Sequence, residues 1–220
     1  MKYFLLFLVT AVPAYVFGSV NGAIITSTVL FHKDIRDFGS GNPGLTNFYR
    51  VFGKAGALLV VFIDVAKTVG PVILGGWLFG RVTDTALSDA WLFRHFFDVS
   101  VFGMTFAGFF VMLGHCFPLF YKFKGGKGVM TAGAILIVLD WRLALISWGA
   151  FILLTALTRY VSLAAIVGAV LYPISQIILS LGGFIEVTMG VMCVLLLVAR
   201  HSPNISRLIK GEERKFSFRQ

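Results

Sequence analysis

Residues 129–157 read VMTAGAILIVLDWRLALISWGAFILLTAL. The run is longer than the roughly 20 residues one membrane-crossing helix needs, and it carries Asp140 and Arg142 near its middle. Each charge left there would cost about 2.5–3.5 kcal/mol on an insertion scale. Two helices meeting at Asp140-Trp141-Arg142 avoid that cost by bringing both charges to a membrane surface. The first of them, residues 129–139, rises only about 17 Å, so it must tilt little and thin the bilayer, or dip in and return. Either way the next span starts from the same side, and this stretch sets the direction of every later span.

The surrounding chain supports a membrane reading. Of its 220 residues, 58% are hydrophobic and only 13% charged, and the mean hydropathy of +0.89 lies outside the range of soluble domains. Long apolar runs cover residues 3–25, 55–79, 96–113, 162–181 and 184–199, whereas alternating ten-residue strands are missing. The expected fold is an all-α polytopic bundle of about seven transmembrane helices, one domain over residues 1–220. The start, MKYFLLFLVTAVPAYVF, resembles a signal peptide. It is read as an uncleaved first span, because the apolar run continues to Ile25 and the flanking charge is weak.

With seven spans and the N-terminus outside, one face receives residues 32–54, 121–128, Arg159 and the tail from Arg200. Those segments hold 14 of the 19 Lys and Arg residues; Lys2, Arg81, Arg94 and Arg142 fall on the other side and Lys67 within a span. The asymmetry marks the richer face as cytoplasmic. It also accounts for the formal charge of +9 without nucleic acid, for which no recognition motif is present. Cys116 and Cys193 have no CxxC or His-Cys spacing, so neither a disulfide framework nor a metal site is expected.

Nearly every unusual polar residue lies on that face. In GSGNPGLTN, residues 39–47, three glycines permit positive φ and close backbone approach, Pro43 stiffens the turn, and Ser40, Asn42, Thr46 and Asn47 supply hydrogen-bonding groups. Such a turn can expose successive N–H groups to an anion, or it can be a tight loop between spans. Gly125-Gly126-Lys127-Gly128 repeats the arrangement before another helix. It is not a Walker A loop, since Val129 stands where that motif has its metal-binding hydroxyl. In the tail, His201 and Asn204 share a face if the last helix continues, although Pro203 also permits a fresh start near Asn204. Two glycine loops and a His/Asn/Arg segment on one face suggest a site for a phosphorylated substrate beside lipid.

These residues also carry a resemblance. SGNPGxTNxxR from Ser40, DxxK from Asp64, GHxFPxFxxFKGGKGV from Gly114 and HxxNIxRLxxGxE from His201 resemble, in the same order, the bacterial acyl-phosphate:glycerol-3-phosphate acyltransferases. The similarity spans nearly the whole chain. Thr68, Leu45 and Met130 depart from residues usual in that family, and no polar motif position is lost.

The resemblance implies a multi-pass enzyme of the bacterial inner membrane with its site at the cytoplasmic face. It would move an acyl group from acyl phosphate to the sn-1 hydroxyl of glycerol 3-phosphate, releasing lysophosphatidate and phosphate. An acyl phosphate is already an activated mixed anhydride, so no metal, cofactor, covalent intermediate or obligate protein partner is expected, and positioning and charge stabilisation can supply the catalysis. Ser40, Gly41, Asn42, Thr46 and Asn47 are expected around the donor phosphate. Arg50, Lys127, Ser162, His201 and Asn204 are expected at glycerol 3-phosphate, and Gly44, Gly125, Gly126, Gly128 and Arg207 complete the expected substrate-binding set. The principal catalytic candidates are His201, Asn204, Lys127 and Ser40; His201 or a phosphate oxygen would take the hydroxyl proton.

Other signals are set aside. His32 and Asp37 have the HxxxxD spacing of a different acyltransferase family whose remaining blocks are missing. Cys116 reads as an apolar packer rather than a nucleophile. Asp64 and Lys67, at i and i+3 in a span, can offset each other's desolvation as an ion pair. His115 is expected to shape the site, and Glu212 and Glu213 to balance nearby cations. Acyl-CoA or acyl carrier protein as donor, or transport of an anionic solute, are the competing readings. No large basic groove supports the first and no repeat supports the second.

Overall fold

The computed structural model describes residues 2–82 and 98–217. Arg94, the first two residues of the apolar run 96–113 and the last three residues of the tail lie outside them. The described residues form ten α-helices: α1 Lys2–Gly18, α2 Gly22–Phe31, α3 Leu45–Phe52, α4 Ala57–Val82, α5 Val99–Cys116, α6 Val129–Leu139, α7 Trp141–Thr158, α8 Val161–Ile178, α9 Phe184–Arg200 and α10 Ser202–Ile209. Five segments are long and apolar enough to cross a membrane, and α9 with α10 makes a sixth, bent by 61°. The 11 residues of α6 fall short of a full span.

The charged corner forms as expected. Asp140 caps α7 by accepting from the Arg142 backbone N–H at 2.8 Å, and its other oxygen meets the Arg142 guanidinium at 2.8 Å. A cap and a local ion pair let the chain reverse without burying either charge. The first span differs from the reading. It runs to Phe31 and breaks at Ser19–Asn21, where Asn21 Oδ1 accepts from Ile24 N at 2.9 Å to start α2. Asn21 Nδ2 donates to Pro43 O at 3.1 Å, so the break anchors the first glycine loop.

Small residues let the backbones approach, as membrane bundles require. A Cβ on Gly75 of α4 would lie 2.6 Å from Gly103 O, and one on Gly103 of α5 would lie 2.5 Å from Gly75 O. Outward-facing Leu58, Phe62, Ile152 and Ile178 remain exposed, as expected of a lipid-facing surface. The ends of α5 and α9 and the starts of α6 and α8 gather at one end of the bundle, where the glycine loops also lie.

This packing predicts that Gly103→Ala, which pushes a methyl against backbone, costs about 1–3 kcal/mol. Gly70→Ala, with nothing within 4 Å of the added carbon, should cost nothing. Thermal unfolding of both variants in detergent checks the difference.

Candidate active site

The first loop is held by one amide. Asn47, on α3, accepts from Ser40 N at 2.9 Å and donates to Phe38 O at 3.0 Å. Gly39 and Gly41 adopt φ of +64° and +70°, and a side chain on Gly39 would collide with the Asn47 amide. Gly44 opens α3 with no side-chain cap, leaving first-turn N–H groups for another acceptor. Ser40, Asn42, Gly44, Thr46, Asn47 and Arg50 line a common cavity; Gly41 is not among its lining residues. Each end of the Asn47 amide makes one of these bonds, so Asn47 positions the loop while still lining the cavity where the sequence reading expects the donor phosphate.

The second loop is pressed onto the end of α5. Gly126 N donates to His115 O at 3.1 Å. Arg200 clamps the loop from α9, donating to Gly126 O at 3.1 Å and Gly125 O at 2.9 Å. A side chain on Gly125 would strike the His115 carbonyl, and one on Gly126 the His115 ring. These two glycines therefore serve close packing and do not line the cavity. Lys127 and Gly128 do line it, and Gly128, at φ +85°, starts α6.

The tail supplies the third wall. The helix turns at His201 instead of continuing, so α10 brings Asn204 and Arg207 back over the cavity. Glu213 then collects three donors. Its Oε1 accepts from Asn204 Nδ2 at 2.6 Å and Ser162 Oγ at 2.7 Å, and its Oε2 accepts from Arg207 Nε at 2.7 Å. Asn204 Oδ1 accepts from Lys127 Nζ at 2.6 Å. Burial would raise the Glu213 carboxyl, but hydrogen bonds from Asn204, Ser162 and Arg207 outweigh it and hold the group below its ordinary range. Burial lowers Lys127 to about 8; Glu213 opposes that shift, while Arg207, Arg50 and Arg200 deepen it. His201 Nδ1 lies 2.8 Å from Leu197 O. A carbonyl only accepts, so Nδ1 carries a proton, and in the neutral ring Nε2 keeps its lone pair.

The cavity has a volume of about 340 Å³ and two characters. Arg50, Lys127, Arg207 and Arg214 line its polar half, and Val129, Met130, Trp148, Phe151 and Ala165 form an apolar wall. Such a space can hold a polyanion at one end and hydrocarbon at the other. Asp64, His115 and Glu213 also line it, beyond the binding residues expected from sequence. His32 and Asp37 lie outside it, and Cys116 packs with Met112, Cys193 and Leu197. Among the described residues no three His, Cys, Asp or Glu side chains gather as a metal site requires.

Residues 8–211 match the family described as Glycerol-3-phosphate acyltransferase. A protein of that name from Ralstonia pickettii (strain 12J) is 37% identical over 203 residues, covering 92% of this chain and 90% of its own length. Another from Staphylococcus carnosus (strain TM300) is 36% identical over 206 residues, covering 93% and 95%. The fold is also similar to the crystal structure of PlsY (YgiH), an integral membrane glycerol 3-phosphate acyltransferase, in its glycerol 3-phosphate form. That match has a TM-score of 0.80 and 31% identity over 96% of both chains. The lysophosphatidic acid form gives 0.79 and 29%, again over 96% of both. The chain belongs to the glycerol-3-phosphate acyltransferase family.

Proposed function

We propose that the chain transfers an acyl group from acyl phosphate to the sn-1 hydroxyl of glycerol 3-phosphate at the cytoplasmic face of a bacterial inner membrane. The observation that carries the reading is the single cavity in which a cationic, hydrogen-bonding half adjoins an apolar wall. Charge asymmetry along the sequence supports the orientation, and family membership supports the acceptor.

Arg50 and Lys127 hold the acceptor phosphate electrostatically, and Ser162 and Asn204 fix its orientation through the Glu213 network. Ser40, Asn42, Thr46 and the uncapped start of α3 take the donor phosphate, with the acyl chain along Trp148 and Phe151. The sn-1 oxygen attacks the donor carbonyl carbon and passes its proton to His201 Nε2. The C–O bond to phosphate then breaks, and inorganic phosphate leaves with that electron pair. The leaving group is good and the nucleophile is held nearby, so positioning and charge stabilisation supply the rate.

Purified protein in detergent, given glycerol 3-phosphate and acyl phosphate without added metal, is expected to release phosphate and lysophosphatidate in equal amounts. Turnover with acyl-CoA and none with acyl phosphate would overturn the donor assignment.

Lys127 gives the pH dependence a sign. Its ammonium is the binding form and is lost as pH rises through about 8, so kcat/KM for glycerol 3-phosphate should fall above that pH. Lys127→Arg remains charged and should move the fall upward, whatever its absolute rate. An unchanged alkaline limb would contradict the role of Lys127.

A further inference from the structure

The buried charges of α4 lie beside this cavity, and the mechanism above does not use them. Lys67 Nζ has three acceptors around it: Val20 O at 2.5 Å, Asp64 Oδ1 at 2.8 Å and His115 Nδ1 at 2.8 Å. An ammonium has three hydrogens and no lone pair, so this shell is complete. All three side chains are buried: Lys67 is 6% exposed, Asp64 1% and His115 3%. Because Lys67 can only donate, His115 Nδ1 must accept. That excludes the imidazolium and places the ring proton on Nε2.

The fixed donor sits against the second glycine loop. The Nε2 edge abuts Gly126, where no side chain fits, and both His115 and Asp64 line the cavity. On the other flank, Asp64 Oδ1 accepts from Gly22 N at 3.2 Å. The neighbouring Asn21 holds Pro43 of the first loop. A charged residue from another helix also comes near. Arg200 of α9 clamps the carbonyls of Gly125 and Gly126, so its guanidinium is committed to the loop.

We propose that His115 Nε2–H is an additional hydrogen-bond donor to the reacting acyl phosphate, kept neutral and in one tautomer by the buried Asp64–Lys67 pair. The inference rests on the acyl-transfer reading. The proton stays on His115 throughout; the bond strengthens as negative charge grows on the carbonyl and phosphate oxygens, which is where a preorganised donor lowers a barrier. Asp64 and Lys67 are positioning residues that act through His115. The third contact, which spans 48 positions of sequence, is what couples the pair on α4 to His115 on α5.

The test compares His115→Phe, which keeps a ring without a donor, with His115→Gln, whose amide N–H can reach the Nε2 position. His115→Phe should lower kcat/KM for acyl phosphate about 10²-fold while leaving KM for glycerol 3-phosphate within about two-fold. His115→Gln should recover to within about ten-fold of wild type. Equal impairment of both variants, normal rates in both, or a loss confined to the glycerol 3-phosphate KM would overturn the proposal. A wild-type protein inactive with acyl phosphate would instead overturn the underlying acyl-transfer reading, and the inference with it. Nitrogen-15 NMR of histidine-labelled wild-type protein gives a readout independent of turnover and of variant folding. His115 should remain neutral and protonated on Nε2 from about pH 5 to 9, across the ordinary histidine range; titration in that window or protonation on Nδ1 would overturn it.

Discussion

Glu213 ties the starts of α6 and α8 to the returning helix α10. One carboxylate accepts from Ser162 at the start of α8 and from Asn204 and Arg207 on α10, and through Asn204 it reaches Lys127 before α6. Without a substrate, Arg50, Lys127, Arg200 and Arg207 would repel one another in a partly desolvated space: burial is the main cause that lowers Lys127, and the three arginines deepen it. One anion at the rim offsets part of that repulsion and aims the donors. It leaves the four cations underneutralised, so a phosphate dianion can still complete the charge balance. Satisfied polar networks of this kind are rigid because each lost contact strands a buried partner.

Much of the fold was legible because the bilayer imposes strong rules. Asp140 and Arg142 could not stay in hydrocarbon, and their position revealed the short α6 and the following α7. The break at Ser19–Asn21 was hidden inside an apolar run. Its signal was only Gly18-Ser19-Val20-Asn21-Gly22, which reads equally well as small-residue packing. The residues of the polar site were legible by type, since glycines, lysine, histidine and asparagine crowded one face. Their division of labour was not. Gly125 and Gly126 look like phosphate binders in sequence, but their neighbours are the carbonyl and ring of His115. Asn47 looks like a ligand group and lines the cavity, but its amide also holds Ser40 and Phe38, a positioning role that the sequence does not reveal. Asp64 and Lys67 were readable as a pair from their spacing; the third member, His115, was not, because only the packing of α4 on α5 brings it there.

The chain's departures from its family pattern fall in distinct places. Leu45 and Met130 line the cavity, Met130 on the apolar wall at the start of α6. A flexible thioether there can adapt to different hydrocarbon shapes. Thr68 is buried and returns its hydroxyl to Asp64 O at 2.7 Å, satisfying within its own helix the polar group it introduces. The same Asp64 whose side chain holds Lys67 thus has its carbonyl occupied as well.

The central claim is that two glycine loops and the returning tail build one polyanion site at the head of an apolar wall. A crystal structure of this protein with glycerol 3-phosphate bound tests it most directly. The account predicts the phosphate within hydrogen-bonding distance of Lys127 and Arg50, with the Glu213 contacts to Ser162, Asn204 and Arg207 intact. A phosphate bound elsewhere, or one that enters only by displacing Glu213 from all three partners, would contradict it.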